Sequence, residues 1–124
     1  MNLRQAGQNA ETLAADFLKQ QNYRILERNY RMSFGEIDII AKDGGTICFV
    51  EVKMRRTTTF GTPVEAIAKP KMRKLIQVAQ HYLMSKKMEP AAARFDVVAV
   101  TPTENAFHCE LLRNAFRVDE AEGF

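Results

Sequence analysis

With 124 residues, the chain has room for one hydrophobic core and too little for two. Its 46% hydrophobic content is that of a globular protein, and no run approaches the ~20 apolar residues of a membrane span. A net charge of +3 permits contact with nucleic acid without demanding it.

Residues 1–8 contain no apolar signal core, so a cytoplasmic protein without membrane contact is the expectation. Cys48 and Cys109 lack any metal-ligand spacing and read as two free thiols. His81 and His108 stand far apart, and zinc ligands usually cluster.

Residues 5–21 read as a first helix. Ala6, Ala10, Leu13, Ala14, Phe17 and Leu18 form one apolar stripe by the i, i+3, i+4, i+7 rhythm, with Glu11 at its edge. Gln21-Asn22 ends it. Tyr23–Tyr30 is a polar strand suited to a sheet edge, carrying Arg24 and Arg28, with Arg31 just beyond. Residues 35–42 and 46–54 form two further strands, with Ile37, Ile39 and Ala41 expected on one face of the first. Ile47, Phe49, Glu51 and Lys53 share one face of the second, and Cys48, Val50 and Val52 the other. Apolar residues on both faces predict a sheet covered on both sides.

Residues 57–63 are a polar loop containing Phe60-Gly61, and 64–69 have room for one helical turn. A second helix spans 71–87, with Pro70 in its first turn, where proline is tolerated. Met72, Leu75, Ile76, Ala79, Tyr82 and Leu83 form its core face, while Gln77 and Gln80 face solvent. Phe95–Thr101 is a compact apolar strand that returns after a helix, as a right-handed crossover would. Phe107–Leu112 is a last strand, followed by a short element at 114–118 and an acidic, frayed tail at 119–124. The expected fold is α/β in the order α-β-β-β-α-β-β, as one domain over residues 1–118.

The chemistry gathers around Asp43-Gly44-Gly45, a hairpin signal. A two-residue loop at Gly44-Gly45 makes paired residue numbers sum to 89, so that Asp38 faces Glu51 and Glu36 faces Lys53. A three-residue loop would separate Asp38 and Glu51 onto different faces. Two opposed carboxylates in a half-buried sheet repel. A raised pKa, a neighbouring lysine or a divalent cation offsets this. Mg²⁺ or Mn²⁺ between Asp38 and Glu51 would polarise a phosphate oxygen and acidify a bound water. Lys53 would orient that water or stabilise developing charge, Glu11 is within reach of the metal or its water shell, and Glu36, nearer the strand end, would hold Lys53 or a second ion. The competing reading is a purely structural charge triad.

Asp96, beside Arg94 in an apolar strand, reads as a structural ion pair. Arg31, Arg55, Arg56, Lys69, Lys71, Arg73 and Lys74 make the candidate nucleic-acid surface. Cations at the start of the second helix oppose its dipole, which points to an anionic partner; a solvated face is the plain alternative.

Asp38 followed by Glu51-Val52-Lys53 resembles the signature of the PD-(D/E)xK nuclease superfamily. Longer strings are similar to the bacterial YraN-like family over residues 7–117: Gly7-Gln8-Asn9-Ala10-Glu11, Glu27-Arg28-Asn29-Tyr30-Arg31, Gly35-Glu36-Ile37-Asp38, Phe49-Val50-Glu51-Val52-Lys53, Phe60-Gly61, Lys71, Arg94-Phe95-Asp96-Val97-Val98 and Asn114-Ala115-Phe116. The resemblance implies a restriction-endonuclease-like core, a central mixed sheet flanked by helices. It also implies kinship with archaeal Holliday-junction resolvases, which are Mg²⁺-dependent dimers. By that likeness Glu11 joins Asp38, Glu51 and Lys53 as a catalytic residue, with Asp38, Glu51 and Glu11 on the metal. Ile37 stands where the superfamily often has proline. The resulting expectation is a metal-dependent endonuclease for structured or branched DNA, acting as a homodimer or with a partner protein. The alternative is a nucleic-acid-binding module or interaction subunit that cleaves nothing.

Overall fold

The computed structural model describes residues 3–55, 69–88 and 93–116. Two helices, α1 (Leu3–Gln20) and α2 (Lys69–Ser85), flank five strands: β1 (Arg24–Met32), β2 (Gly35–Asp43), β3 (Thr46–Met54), β4 (Ala93–Pro102) and β5 (Phe107–Phe116). The sheet order follows the chain, β1-β2-β3-β4-β5. Every neighbouring pair is antiparallel except β3–β4, which α2 connects in parallel. This is the expected mixed α/β order, with β1 at an edge. Neither described helix is long and apolar enough to cross a membrane.

The two faces of the sheet bury separate clusters. Against α1 lie Ile39, Ala41, Cys48, Val50, Val98 and Val100, packed with Ala10, Ala14 and Leu18. Against α2 lie Ile37, Ile40, Ile47, Phe49 and Phe95, packed with Leu75, Val78, Ala79 and Tyr82. Tyr82 sets its ring edge-on to Tyr30 and Phe49, at 5.3 and 5.9 Å between centroids. Gln77 and Gln80 are exposed, as their spacing predicts. Both cysteines are free thiols.

Both helices end in the same backbone device. Asn22 is left-handed (φ 68), the Tyr23 N–H donates to the Leu18 carbonyl, and the Asn22 N–H donates to that of Lys19. Lys87 (φ 55), Met88, Leu83 and Met84 repeat the pattern after α2. These are Schellman caps, each closed by an apolar pair in the adjoining core, Leu18 with Tyr23 and Leu83 with Met88.

Element ends differ from the sequence reading by a residue or two, with one larger change. The expected short element at 114–118 is instead the end of β5, which runs to Phe116. A bulge opposite Asp96 lets it continue: the register shifts between Phe95 and Val97, and Asn114 turns left-handed (φ 52). The Asn114 N–H then donates to Asp96 Oδ1 at 2.8 Å. The loop at 57–63, the turn at 64–68, Arg56 and the tail at 119–124 lie outside the described residues.

Asp96 is fully buried and fully engaged. Its carboxylate accepts from Arg94 Nε (3.0 Å), the Tyr23 hydroxyl (2.9 Å) and the Asn114 N–H. Arg94 also bridges to Asp43 and to the Tyr23 hydroxyl, each at 2.8 Å. The network ties the end of α1 to β2, β4 and β5, which is the structural role expected for this pair. Removing one partner would leave a buried charge uncompensated. Asp96→Ala should therefore cost about 3–5 kcal/mol, read by urea denaturation; a loss under about 1 kcal/mol would contradict this account.

Candidate metal centre

The hairpin forms with the predicted loop. Gly44 is left-handed (φ 60), Asp43 pairs with Thr46, and the 89-sum register holds to Ile39↔Val50. There the ladder stops. The Val52 N–H, which in a regular ladder would meet a β2 carbonyl, donates instead to Asp38 Oδ2 at 2.8 Å. Neither expected pair beyond it, Asp38 facing Glu51 or Glu36 facing Lys53, is therefore part of the ladder.

Two further observations mark the same break. Ile37 packs with the α2 cluster while Ile39 and Ala41 pack with the α1 cluster. This corrects the expectation that the three share a face: the in–out alternation slips at Asp38. Across on β1, the register runs Arg28↔Ile39 and Tyr30↔Ile37, flanking Asn29, which is left-handed (φ 53). Asparagine tolerates that conformation better than most residues. Both strands therefore kink at the position that presents Asp38.

The kink brings Asp38 to the seam between the layers. One carboxylate oxygen each from Glu11 of α1 and from Glu36 and Asp38 of β2 lies within 4.8 Å of the others. In the orientation that satisfies its neighbours, the Asn29 amide nitrogen donates to Glu11 Oε2 and Glu36 Oε1, both at 3.0 Å. Arg31 reaches Glu36 at 3.3 Å from a well-exposed position. Glu51, 6% exposed, gives its Oε1 to the Lys71 ammonium at 2.5 Å. Gly35, Glu36, Asp38, Glu51, Lys71, Lys74 and Leu75 line a cleft of about 220 Å³.

Gly35 sets how closely α2 approaches this cleft. A Cβ there would lie 3.1 Å from Val78 Cγ2 and 3.6 Å from Lys74 Cβ. The absent side chain lets the turn of α2 bearing Lys74 rest on the start of β2.

The electrostatics centre on Asp38. Its pKa is pushed up to about 7, first by burial and then by the negative charges of Glu51 and Glu11. The Val52 N–H and the Lys71 ammonium oppose the shift.

The sequence-derived site residues divide as follows. Of the three expected ligands, Glu11 and Asp38 meet in one cluster with Glu36, whereas Glu51 stands outside that cluster and shares the cleft with Asp38. Lys53 is half-buried on β3, two residues beyond Glu51, and does not line the cleft. The cation on Glu51 is Lys71, assigned from sequence to nucleic-acid contact. Lys71 and Lys74 line the cleft, Arg31 stands at its β1 rim, and Arg73 is exposed on α2. Arg55 is half-buried at the end of β3, and Lys69 begins α2. Asn29 joins the site although nothing in the sequence named it, and Glu36, expected to hold Lys53 or a second ion, instead meets Glu11 and Asp38 directly. Glu36 sits two residues before Asp38 on one strand, a spacing that signals a shared face. Asn29 gave no such signal, because its role depends on a backbone kink.

The raised Asp38 pKa has a definite consequence. Between pH about 4 and 7 the folded protein holds a proton that the unfolded chain releases at its ordinary 3.8. Stability therefore falls as pH rises through that window. Asp38→Asn keeps an acceptor for the Val52 N–H and loses the charge. It should stabilise the metal-free protein by about 1–3 kcal/mol at pH 8 and change little at pH 4. Urea denaturation at both pH values checks this; equal effects at the two would refute it.

Carboxylate oxygens are the donors that Mg²⁺ and Mn²⁺ prefer, so these residues fit a hard divalent cation. Comparison with known proteins agrees with the sequence resemblance at the level of the family. The model of the "Uncharacterised protein family UPF0102" matches residues 10–100. A UPF0102 protein of Syntrophus aciditrophicus is 46% identical over 117 residues, covering 94% of this chain and 91% of its own length. One from Desulfosudis oleivorans is 50% identical over 112 residues, covering 90% and 89%. Another from Symbiobacterium thermophilum is 47% identical over 114 residues, covering 91% and 97%. With a kinked hairpin that gathers its acidic residues and relatives matched over nearly their whole length, the chain belongs to the UPF0102 family.

Proposed function

We propose that the protein is a Mg²⁺- or Mn²⁺-dependent nuclease that hydrolyses phosphodiester bonds, with structured or branched DNA as its substrate. The observation that carries this reading is the meeting of Glu11, Glu36 and Asp38 within 4.8 Å, at a cleft that Glu36 and Asp38 line together with the buried Glu51 and two lysines. Asp38, Glu51 and Glu11 would hold the cation, with Glu36 adjacent. A bound cation would supply Lewis acidity toward a phosphate oxygen and an acidified water.

The chain's own residues have distinct tasks. Asp38 is kept in place by the Val52 N–H, so its carboxylate is aimed before any ligand arrives. Asn29 holds Glu11 and Glu36 apart from free rotation. Lys53 would orient the attacking water, on the strand that carries Glu51. Lys71 and Lys74 would meet the negative phosphates entering the cleft. Arg31 and Arg73 extend positive charge along the β1 and α2 sides.

The test is a panel of linear, flapped and four-way DNA and RNA, incubated with Mg²⁺ or Mn²⁺ beside Asp38→Asn. Cutting is expected on at least one branched DNA. Loss of a carboxylate ligand should lower the rate by roughly 100-fold or more, since such cations contribute several kcal/mol. A panel left uncut by the wild-type chain would defeat the nuclease reading. Retained, salt-sensitive DNA binding would then favour a binding module with the same fold.

A further inference from the structure

We propose that Lys71 is an exchangeable counter-ion: it neutralises Glu51 while the metal centre is empty, and passes to an incoming phosphate when a divalent cation takes Glu51. The proposal rests on the metal-centre reading above and assigns to this residue a task beyond it.

Four observations carry it. Glu51 is almost wholly buried, and its Oε1 is engaged by the Lys71 ammonium at 2.5 Å. A buried carboxylate without a partner is costly, so an empty centre needs this cation. Lys71 itself is half in solvent, at 45% exposure, and lines the cleft. Its ammonium sits on Glu51 at the end of a flexible four-carbon stem, so loss of that one contact would release it into the cleft. Its location in the fold also counts. Lys71 lies in the first turn of α2, which carries no acidic residue, so the helix dipole disfavours a cation there. Helix stability therefore does not account for its position; the contact with Glu51 does.

Once a divalent cation supplies the positive charge that Glu51 requires, the Lys71 pair becomes redundant and two cations compete for one carboxylate. The ammonium then has anionic phosphate as its remaining partner in the cleft. Lys74, one turn on, lines the same cleft and makes no ion pair among the described residues. The pair would present two ammonium groups to a phosphodiester backbone only after the metal has entered. Metal and nucleic acid would therefore bind with positive coupling through this residue.

The experiment compares the wild-type chain with Lys71→Met, which keeps the apolar stem and removes the charge. Mn²⁺ binding is measured by calorimetry without nucleic acid. Affinity for a four-way DNA junction is measured with Ca²⁺ and with EDTA. Removing the competitor should tighten Mn²⁺ binding by at least about three-fold. The Ca²⁺-dependent gain in junction affinity expected of the wild type should shrink by a similar factor or more. Mn²⁺ binding no tighter than wild type overturns the exchange, as does an undiminished Ca²⁺-dependent gain. Failure of the wild-type chain itself to bind Mn²⁺ would sink the metal-centre reading and this proposal together, so the two failures are distinguishable. Should Lys71→Met fail to fold, the wild-type chain carries the test by nuclear magnetic resonance. The Lys71 side-chain nitrogen signal should move toward that of solvent-exposed lysines as Mg²⁺ saturates, and a signal unmoved at saturation overturns the exchange.

Discussion

The site depends on one hydrogen bond, from the Val52 N–H to the Asp38 carboxylate. A central strand pair cannot leave a buried N–H without an acceptor, because the cost is comparable to a lost hydrogen bond. Here a side chain provides the acceptor in place of backbone. That substitution ends the β2–β3 ladder at Ile39↔Val50 and slips the alternation of β2. It also holds a carboxylate inside the sheet, where it would otherwise turn outward to water. The left-handed Asn29 on β1 is the matching kink in the neighbouring strand.

A carboxylate so held creates a charge problem that the surroundings solve only in part. Burial and the nearby Glu51 and Glu11 raise the Asp38 pKa. Lys71 covers Glu51, Arg31 reaches Glu36, and Asn29 lends its amide to Glu11 and Glu36. The contrast with Asp96 is instructive. That aspartate is more deeply buried, yet Arg94, Tyr23 and the Asn114 N–H satisfy it completely. One acidic residue is neutralised by the fold and stabilises it. The other is left short of positive charge at the edge of a cleft.

Much of the scaffold was legible because it follows local rules. The α1 stripe, the β3 span and the two-residue turn all came from periodicity and turn chemistry, and the 89-sum register followed from loop length alone. The same reasoning failed where a local rule is broken for tertiary reasons. Strict alternation put Ile37 with Ile39, and the kink at Asp38 separates them. Reading 114–118 as a separate short element missed the bulge through which Asp96 draws in the Asn114 N–H. Both misses fall beside an aspartate whose side chain takes a backbone N–H, a bond that no periodicity signals.

The sequence by itself determined which strands exist, their order along the chain, the hairpin register near the turn and the placement of Asp38 and Glu51 on adjacent strands. Period and loop length encode these, since both act over a few residues. Only the tertiary structure decided that Glu11 and Glu36 close on Asp38, that Asn29 bridges them, and that Lys71 is the cation on Glu51. Those neighbours come from different layers. How near they lie depends on where α1 and α2 settle on the two faces of the sheet, including the close seat that Gly35 gives α2. Packing across the whole core sets that distance, and no single segment contains it.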